Sequence, residues 1–205
     1  DKTIRVWDAE TGGALLVIDV DAERGGVDAL AFFADPATGA PRLACGGKIF
    51  DPIAGGEALV VLDMGSAVLA LAVFKDPATG EPRLACGCYD KKVRVFDPVA
   101  GGEALLVIEV GSVVWALAFF ADPATGALRL ACGTSTDDDE SGDVRIIDPV
   151  AGGQALVVLD VGSEGNALTI FADPATGAPR IACGCYDKKV RIFNPVAGGE
   201  ALVVL

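Results

Sequence analysis

The 205-residue chain carries 29 Asp plus Glu against 16 Lys plus Arg and has no His, giving a net charge of -13 and a pI near 4.3. A surface of that sign repels phosphate backbones and anionic lipid heads, which excludes nucleic acid and membrane surfaces as partners. Hydrophobic residues reach 52%, yet no apolar run approaches the roughly 18 residues of a membrane helix, so a core-rich soluble protein is expected.

The first two elements are short alternating segments, TIRVW at 3–7 and ALLVIDV at 14–20, joined by DAETGG from Asp8. Two markers then recur. DPATG starts at Asp35, Asp76, Asp122 and Asp173, each time followed by Arg, an aliphatic residue and Ala-Cys-Gly. DP(V/I)AGG starts at Asp51, Asp97 and Asp148, with a variant at Asn194. Spacings of 41, 46 and 51 between DPATG copies define a repeat of about 46 residues. Each unit holds four segments, a to d, which in the third unit are 115–120, 128–132, 143–147 and 155–159. Runs this short, rich in Val, Ile, Leu and Phe and punctuated by Gly and Pro, predict strands and leave no room for helices. DPATG suits a type I turn with Pro second and a left-handed Gly closing it, and DPVAGG offers similar chemistry. Both therefore join neighbouring antiparallel strands.

A four-stranded sheet with apolar residues on both faces must be covered on both. Packing copies face to face around an axis achieves this, so the predicted fold is all-β, a β-propeller of four-stranded antiparallel blades. Residues 1–20 supply a partial blade of strands c and d, followed by blades at 21–62, 63–108, 109–159 and 160–205. Four complete blades plus a half-blade predict part of a larger ring, completed by upstream sequence or by another chain. Blade one has a shortened strand c, and blade three carries an acidic insertion at 134–143.

DKTIRVWD at 1–8, followed by a Thr-Gly turn, resembles the end of a tryptophan-aspartate (WD) repeat, and CYDKKVRVFD and CYDKKVRIFN are close variants of it. The resemblance implies a propeller, in this family usually of about seven blades, that serves as a platform for protein partners. The family's Gly-His pair before strand a is missing, and only Trp7 keeps the name-giving aromatic; its counterparts are Phe50, Phe96, Ile147 and Phe193. The family's network of His, Ser or Thr, Trp and Asp therefore cannot form. Stability is expected to rest on apolar packing between blades and on near-ideal turns.

Alternating strand direction sends the a-to-b and c-to-d turns to one rim and the b-to-c and d-to-a turns to the other. The first set is nearly invariant. The second varies in length and charge, with DAERGGVD, GSAVL, GSVVW and GSEGN before strand a, and GGK, CYDKK, TSTDDDESGD and CYDKK before strand c. Asp28, Leu69, Trp115 and Asn166 occupy matching places near the expected axis on that rim. They are the candidate partner-binding residues, with Trp115 or Leu69 as a natural anchor. The competing explanation is drift in unconstrained loops.

Other chemistry is sparse. Asp137, Asp139 and Ser141 fit the first half of a calcium loop, D-x-D-x-S-G, but the carboxylate in the twelfth place, Asp148, lies beyond a strand of about five residues at about 3.3 Å each. A solvated acidic loop is expected there, with no metal or other cofactor. Cys86 and Cys88, and likewise Cys183 and Cys185, are two ligands short of a tetrahedral site and have no His to complete it. Cys45, Cys86, Cys132 and Cys183 are equivalent residues one repeat apart, beyond the ~7 Å reach of a disulfide. Free thiols in a reducing, intracellular and cytoplasmic setting follow. Tyr89 and Tyr186 sit in tight hairpins repeated for structural reasons, and without His no Ser-His or Cys-His couple exists, so an enzyme is not expected. The reading is a non-enzymatic protein-interaction scaffold that uses one rim. The alternatives are a structural subunit of a larger assembly without a recognition face, and a calcium-dependent or ligand-binding propeller.

Overall fold

The computed structural model describes residues 2–20, 27–136 and 141–205. Among them are eighteen strands and no helix. Strands β1 (Thr3–Trp7) and β2 (Ala14–Asp19) form a two-stranded sheet. Four four-stranded antiparallel sheets follow, each pairing only consecutive strands. Blade one holds β3 (Leu30–Ala34), β4 (Pro41–Cys45), β5 (Lys48–Phe50) and β6 (Val60–Val61). Blade two holds β7 (Val68–Lys75), β8 (Pro82–Cys88), β9 (Lys92–Phe96) and β10 (Leu106–Glu109). Blade three holds β11 (Val113–Ala121), β12 (Leu128–Ser135), β13 (Asp143–Ile147) and β14 (Val157–Asp160). Blade four holds β15 (Gly165–Ala172), β16 (Pro179–Cys185), β17 (Val190–Phe193) and β18 (Val203–Val204).

The recurrent aspartate shapes each turn on the invariant rim. In the first DPATG copy, Asp35 Oδ1 accepts the backbone N–H groups of Ala37 at 3.0 Å and Thr38 at 3.1 Å. The Asp35 carbonyl accepts the N–H of Gly39 at 2.8 Å, and Gly39 takes φ +71°, a left-handed conformation open to glycine at no steric cost. Asp8, Asp51, Asp76, Asp97, Asp122, Asp148, Asp173 and Asn194 repeat the pattern. The side chain satisfies N–H groups that the turn takes away from the sheet.

Neighbouring blades bury one apolar cluster per interface. Between blades one and two lie Phe33, Ile49 and Leu62 against Leu84, Cys86 and Phe96. Blades two and three bring Phe74, Val93 and Ile108 to Leu130, Cys132 and Ile147. Blades three and four join Phe120, Ile146 and Leu159 to Ile181, Cys183 and Phe193. At the start of the chain Ile4, Ile18 and Val20 cover Leu43, Cys45 and Phe50. The strands labelled a lie innermost, β7 between β3 and β11, and β11 between β7 and β15. The glycine of Ala-Cys-Gly in strand b allows this approach. A Cβ on Gly87 would stand 2.6 Å from Val114 Cγ1, and one on Gly133 would stand 2.5 Å from the Gly165 carbonyl oxygen.

Blade one departs from its sisters because β5 is three residues long. With less of strand c to pair with, the end of strand d turns to the next sheet, where Asp63 N–H donates to the Gly102 carbonyl at 3.0 Å and Gly102 N–H to the Val61 carbonyl at 3.2 Å. Met64, the single methionine of the chain, packs over Gly47 where the missing residues would stand. A flexible thioether suits an irregular gap of this kind.

Candidate functional site

Hydrogen bonds show how the connections gather. On the invariant rim, Arg83 reaches Asp76 of the a-to-b turn at 3.5 Å and Asp97 of the c-to-d turn at 3.4 Å. Arg42 does the same with Asp35 at 3.1 Å and Asp51 at 3.9 Å. On the other rim, Ser66 Oγ of a d-to-a connection accepts the Asp90 N–H of a b-to-c turn at 3.2 Å, and Ser163 Oγ accepts the Asp187 N–H at 3.2 Å. The variable connections of one blade therefore meet each other, away from the invariant turns.

The expectation that apolar packing and turns alone hold the blades is corrected here. Arg94 donates in a fork to Asp90 at 2.9 and 2.6 Å, and Arg191 does so to Asp187 at 3.0 and 2.7 Å. Arg145 binds Asp143 at 2.9 Å and also donates to the Val110 carbonyl and, at 3.5 Å, to Ser112 Oγ. The fork from Arg94 holds the Asp90 carboxyl below its ordinary range, and Arg191 acts likewise on Asp187. Two-pronged charged hydrogen bonds of this kind fix orientation as well as distance. The sequence signal was an Arg in strand c close after each Asp, present without the histidine that the resemblance made conspicuous by its absence.

Three of the four candidate residues share a backbone irregularity. Register shifts between Val68 and Ala70, Val114 and Ala116, and Gly165 and Ala167 leave Leu69, Trp115 and Asn166 as bulged residues at the start of strands β7, β11 and β15. A bulge adds an unpaired residue and re-aims its side chain. Leu69 and Trp115 are half-buried and Asn166 is exposed. Trp115 Nε1 donates to Ser135 Oγ at 2.8 Å, which fixes the indole against the end of β12. Asp28 is exposed just before β3, which enters its ladder at Leu30 without a bulge. Of the acidic loop, Asp137 and Asp139 lie outside the described residues, and Ser141 Oγ is 2.8 Å from Thr136 Oγ.

The sequence predicts Tyr89 and Tyr186 as structural residues of tight hairpins. Only their backbone has that role, donating N–H to the Ala67 carbonyl at 3.0 Å and to the Glu164 carbonyl at 3.1 Å. The two residues are 61% and 72% exposed on the variable rim. The signal that could have found them is the DKK that follows each Tyr. Its first lysine turns left-handed, with φ +69° at Lys91 and +67° at Lys188, which closes the hairpin and leaves the preceding ring at its tip.

Burial disfavours the thiolate at the buried cysteines. Burial pushes Cys45 up to about 11 and Cys183 up to about 12, and it raises Cys86 and Cys88 in the same way. Cys183 and Cys185 place their sulfurs 3.8 Å apart. No three His, Cys, Asp or Glu side chains gather in a metal-holding group among the described residues. Open grooves recur at equivalent places, one lined by Asp35, Arg42, Pro98 and Val99 and another by Asp122, Arg129, Pro195 and Val196. They belong to the geometry of the repeat.

No family model and no curated protein matches the sequence. Solved structures do match the fold. BBS1N, in its crystal structure in complex with ARL6DN, aligns with a TM-score of 0.72 at 16% identity over 100% of this chain and 61% of that one. Saccharomyces cerevisiae Sqt1 aligns with a TM-score of 0.71 at 14% identity over 98% of this chain and 55% of that one. The chain thus spans between 55% and 61% of the length of these two structures. At such identities the likeness shows the fold alone: this is an all-β chain with the β-propeller fold, built of four-stranded antiparallel blades.

Proposed function

We propose that the chain is a WD-repeat-type propeller acting as a non-enzymatic protein-interaction scaffold, in a reducing intracellular compartment, through its variable rim. The observation that carries this reading is the bulge repeated in β7, β11 and β15, which presents a different side chain each time: Leu69, Trp115 and Asn166. Asp28 and the exposed tyrosines Tyr89 and Tyr186 widen the same surface. Trp115, held by Ser135, is the anchor, since a pre-oriented aromatic loses little freedom on binding. The crystal of BBS1N in complex with ARL6DN gives the reading support by analogy of fold only.

The test compares protein captured by the immobilised wild type, by the Trp115→Ala/Leu69→Ala double variant, and by a Glu81→Ala control on the invariant rim. A partner retained by wild type and control but lost by the double variant, at unchanged melting temperature, is the expected result. Equal capture by all three would sink the reading.

A further inference from the structure

Strand d is the outermost strand of each blade, and β6, β10 and β14 stand at the ends of their sheets. In blade one that edge is closed. Gly102, from the c-to-d turn of blade two, forms an isolated parallel bridge with Leu62: its N–H donates to the Val61 carbonyl, and its carbonyl accepts the Asp63 N–H. In blade two the matching groups are the Val107 carbonyl and the Glu109 N–H. Val110 N–H donates inward to the Lys91 carbonyl. Inward and outward groups alternate along an antiparallel strand, so Ile108 also faces β9 while Val107 and Glu109 face away from the sheet. Among the described residues the bridge of blade one has no counterpart there. A groove of about 280 Å³ opens instead, lined by Glu109 and Val110 of β10, Arg145 and Ile147 of β13, and Ala155 and Val158 of blade three. It lies between two complete blades.

We propose that the open edge of β10 and the groove beside it dock an extended, basic segment of another protein, which does in blade two what Gly102 does in blade one. The segment adds as a parallel strand, giving an N–H to the Val107 carbonyl and a carbonyl to the Glu109 N–H. A neighbouring aliphatic side chain enters the groove against Val110, Ile147 and Ala155. Main-chain pairing supplies affinity, and the groove supplies register. The edge is built to be met. Natural edges are guarded by Lys, Pro or a bulge, yet residues 103–110, EALLVIEV, contain neither Lys nor Pro, and β10 pairs with β9 in unbroken register. Leu105 and Val107 are 60% and 46% exposed. Charge selects the occupant. Glu103 and Glu109 flank the edge and are exposed; Lys92 meets Glu109 at 2.7 Å, and Arg145 is taken by Asp143 at 2.9 Å. Lys or Arg at the ends of the segment therefore meets carboxylates, whereas a second copy of this chain would bring a further net charge of -13. Blade three offers less, since Gln154 replaces Glu103 and the Gly162 N–H takes Asp160 Oδ1 at 2.9 Å. The proposal stands whether or not the variable rim binds anything.

The probe is a short labelled peptide that alternates Val and Thr between two terminal lysines, titrated into the whole chain under reducing conditions and followed by fluorescence anisotropy. At saturation, hydrogen exchange of the Glu109 amide should slow by at least about tenfold. Glu109→Gln keeps the edge N–H and loses the charge, so binding should weaken by about threefold; Glu109→Pro also removes the N–H, on the side of an edge strand where proline is tolerated, and should weaken it by at least about thirtyfold. Val107→Lys, at an exposed position, gives a second reading should the proline variant melt early, and should cost at least about tenfold by like-charge repulsion. A peptide ending in glutamates should bind at least about tenfold more weakly than the lysine peptide. Absence of saturable binding, unchanged exchange at Glu109, equal binding by Glu109→Gln and a folded Glu109→Pro, full binding by Val107→Lys, or equal binding of the two peptides overturns the proposal. So does loss of binding in Trp115→Ala/Leu69→Ala, which would assign the peptide to the variable rim, or a dimer in sedimentation whose Glu109 amide is protected before peptide is added.

Discussion

The two rims use the same pair of residue types, aspartate and arginine, in opposite ways. On the invariant rim the carboxylate builds the turn, with one oxygen accepting two backbone N–H groups while the other meets the arginine of strand b. On the variable rim the carboxylate ties a hairpin to strand c through an arginine fork, while the backbone of the turn is held by neighbours such as Ser66. Where one side chain sets both the backbone and the clasp, a change that removes its oxygens removes both. Where the functions are divided, the tips can be edited and the blade still closes. This difference explains physically why individuality gathers on one side.

Acid should strain the comparison most. Backbone N–H groups hold the carboxyls of Asp35, Asp51, Asp122 and Asp173 below the ordinary range, and arginine does so for Asp90 and Asp187. A folded pKa below the unfolded value contributes stability that is fully present above the ordinary carboxylate pKa of about 3.9. It is lost as pH falls through that value toward the folded one. Urea midpoints measured from about pH 6 down to about pH 2.5 should therefore drop steeply at the acid end. Added salt should loosen the arginine forks and leave the amide-held turns protected from hydrogen exchange. Equal salt sensitivity of Ala54 and Asp90 amide protection would erase the distinction.

Next in size is Arg83→Ala, which leaves Asp76 and Asp97 facing each other without their shared cation. A loss of about 2 kcal/mol by urea unfolding is expected, since the stranded partners add to the lost hydrogen bonds. Asn194 offers the finest comparison. It keeps the turn bonds to Val196 and Ala197 at 3.0 Å but carries no charge for the arginine of its blade, Arg180. Asp97→Asn should copy that state and cost under about 0.5 kcal/mol, whereas Asp97→Ala should cost about 1 kcal/mol because the turn bonds also go. Equal losses for the two variants would show that the clasp, and not the turn, sets the value of the aspartate.

The sequence made the sheets legible because repetition averages out local ambiguity. DPATG and DPVAGG fix turns by known chemistry, and strand c of the third unit, predicted at 143–147, coincides with β13. Strand ends were less visible. The segment predicted at 115–120 became Val113–Ala121, extended past a bulge, and the final segment at 201–205 narrowed to Val203–Val204. A bulge leaves no mark in alternating apolar residues, because inserting one unpaired residue does not change which residue types the segment contains. The arginine forks are less legible for a different reason, because an Arg in a strand reads as an ordinary solvated residue until its partner is placed in space. Trp115 stood out by its chemistry, but Ser135, which fixes it, lies twenty residues away.

Every ladder in the sheets joins strands adjacent in the chain. Native pairing thus spans short loops, which lowers contact order and favours rapid self-assembly of each unit. Near-identical neighbours carry the opposite hazard, since a strand emerging from one copy fits the vacancy in the next. Unequal unit lengths of 41, 46 and 51 residues work against such exchange, because a borrowed strand arrives with its connection too short or too long for the host. The edits that distinguish one side of the disc therefore also guard the chain against folding into its own copies.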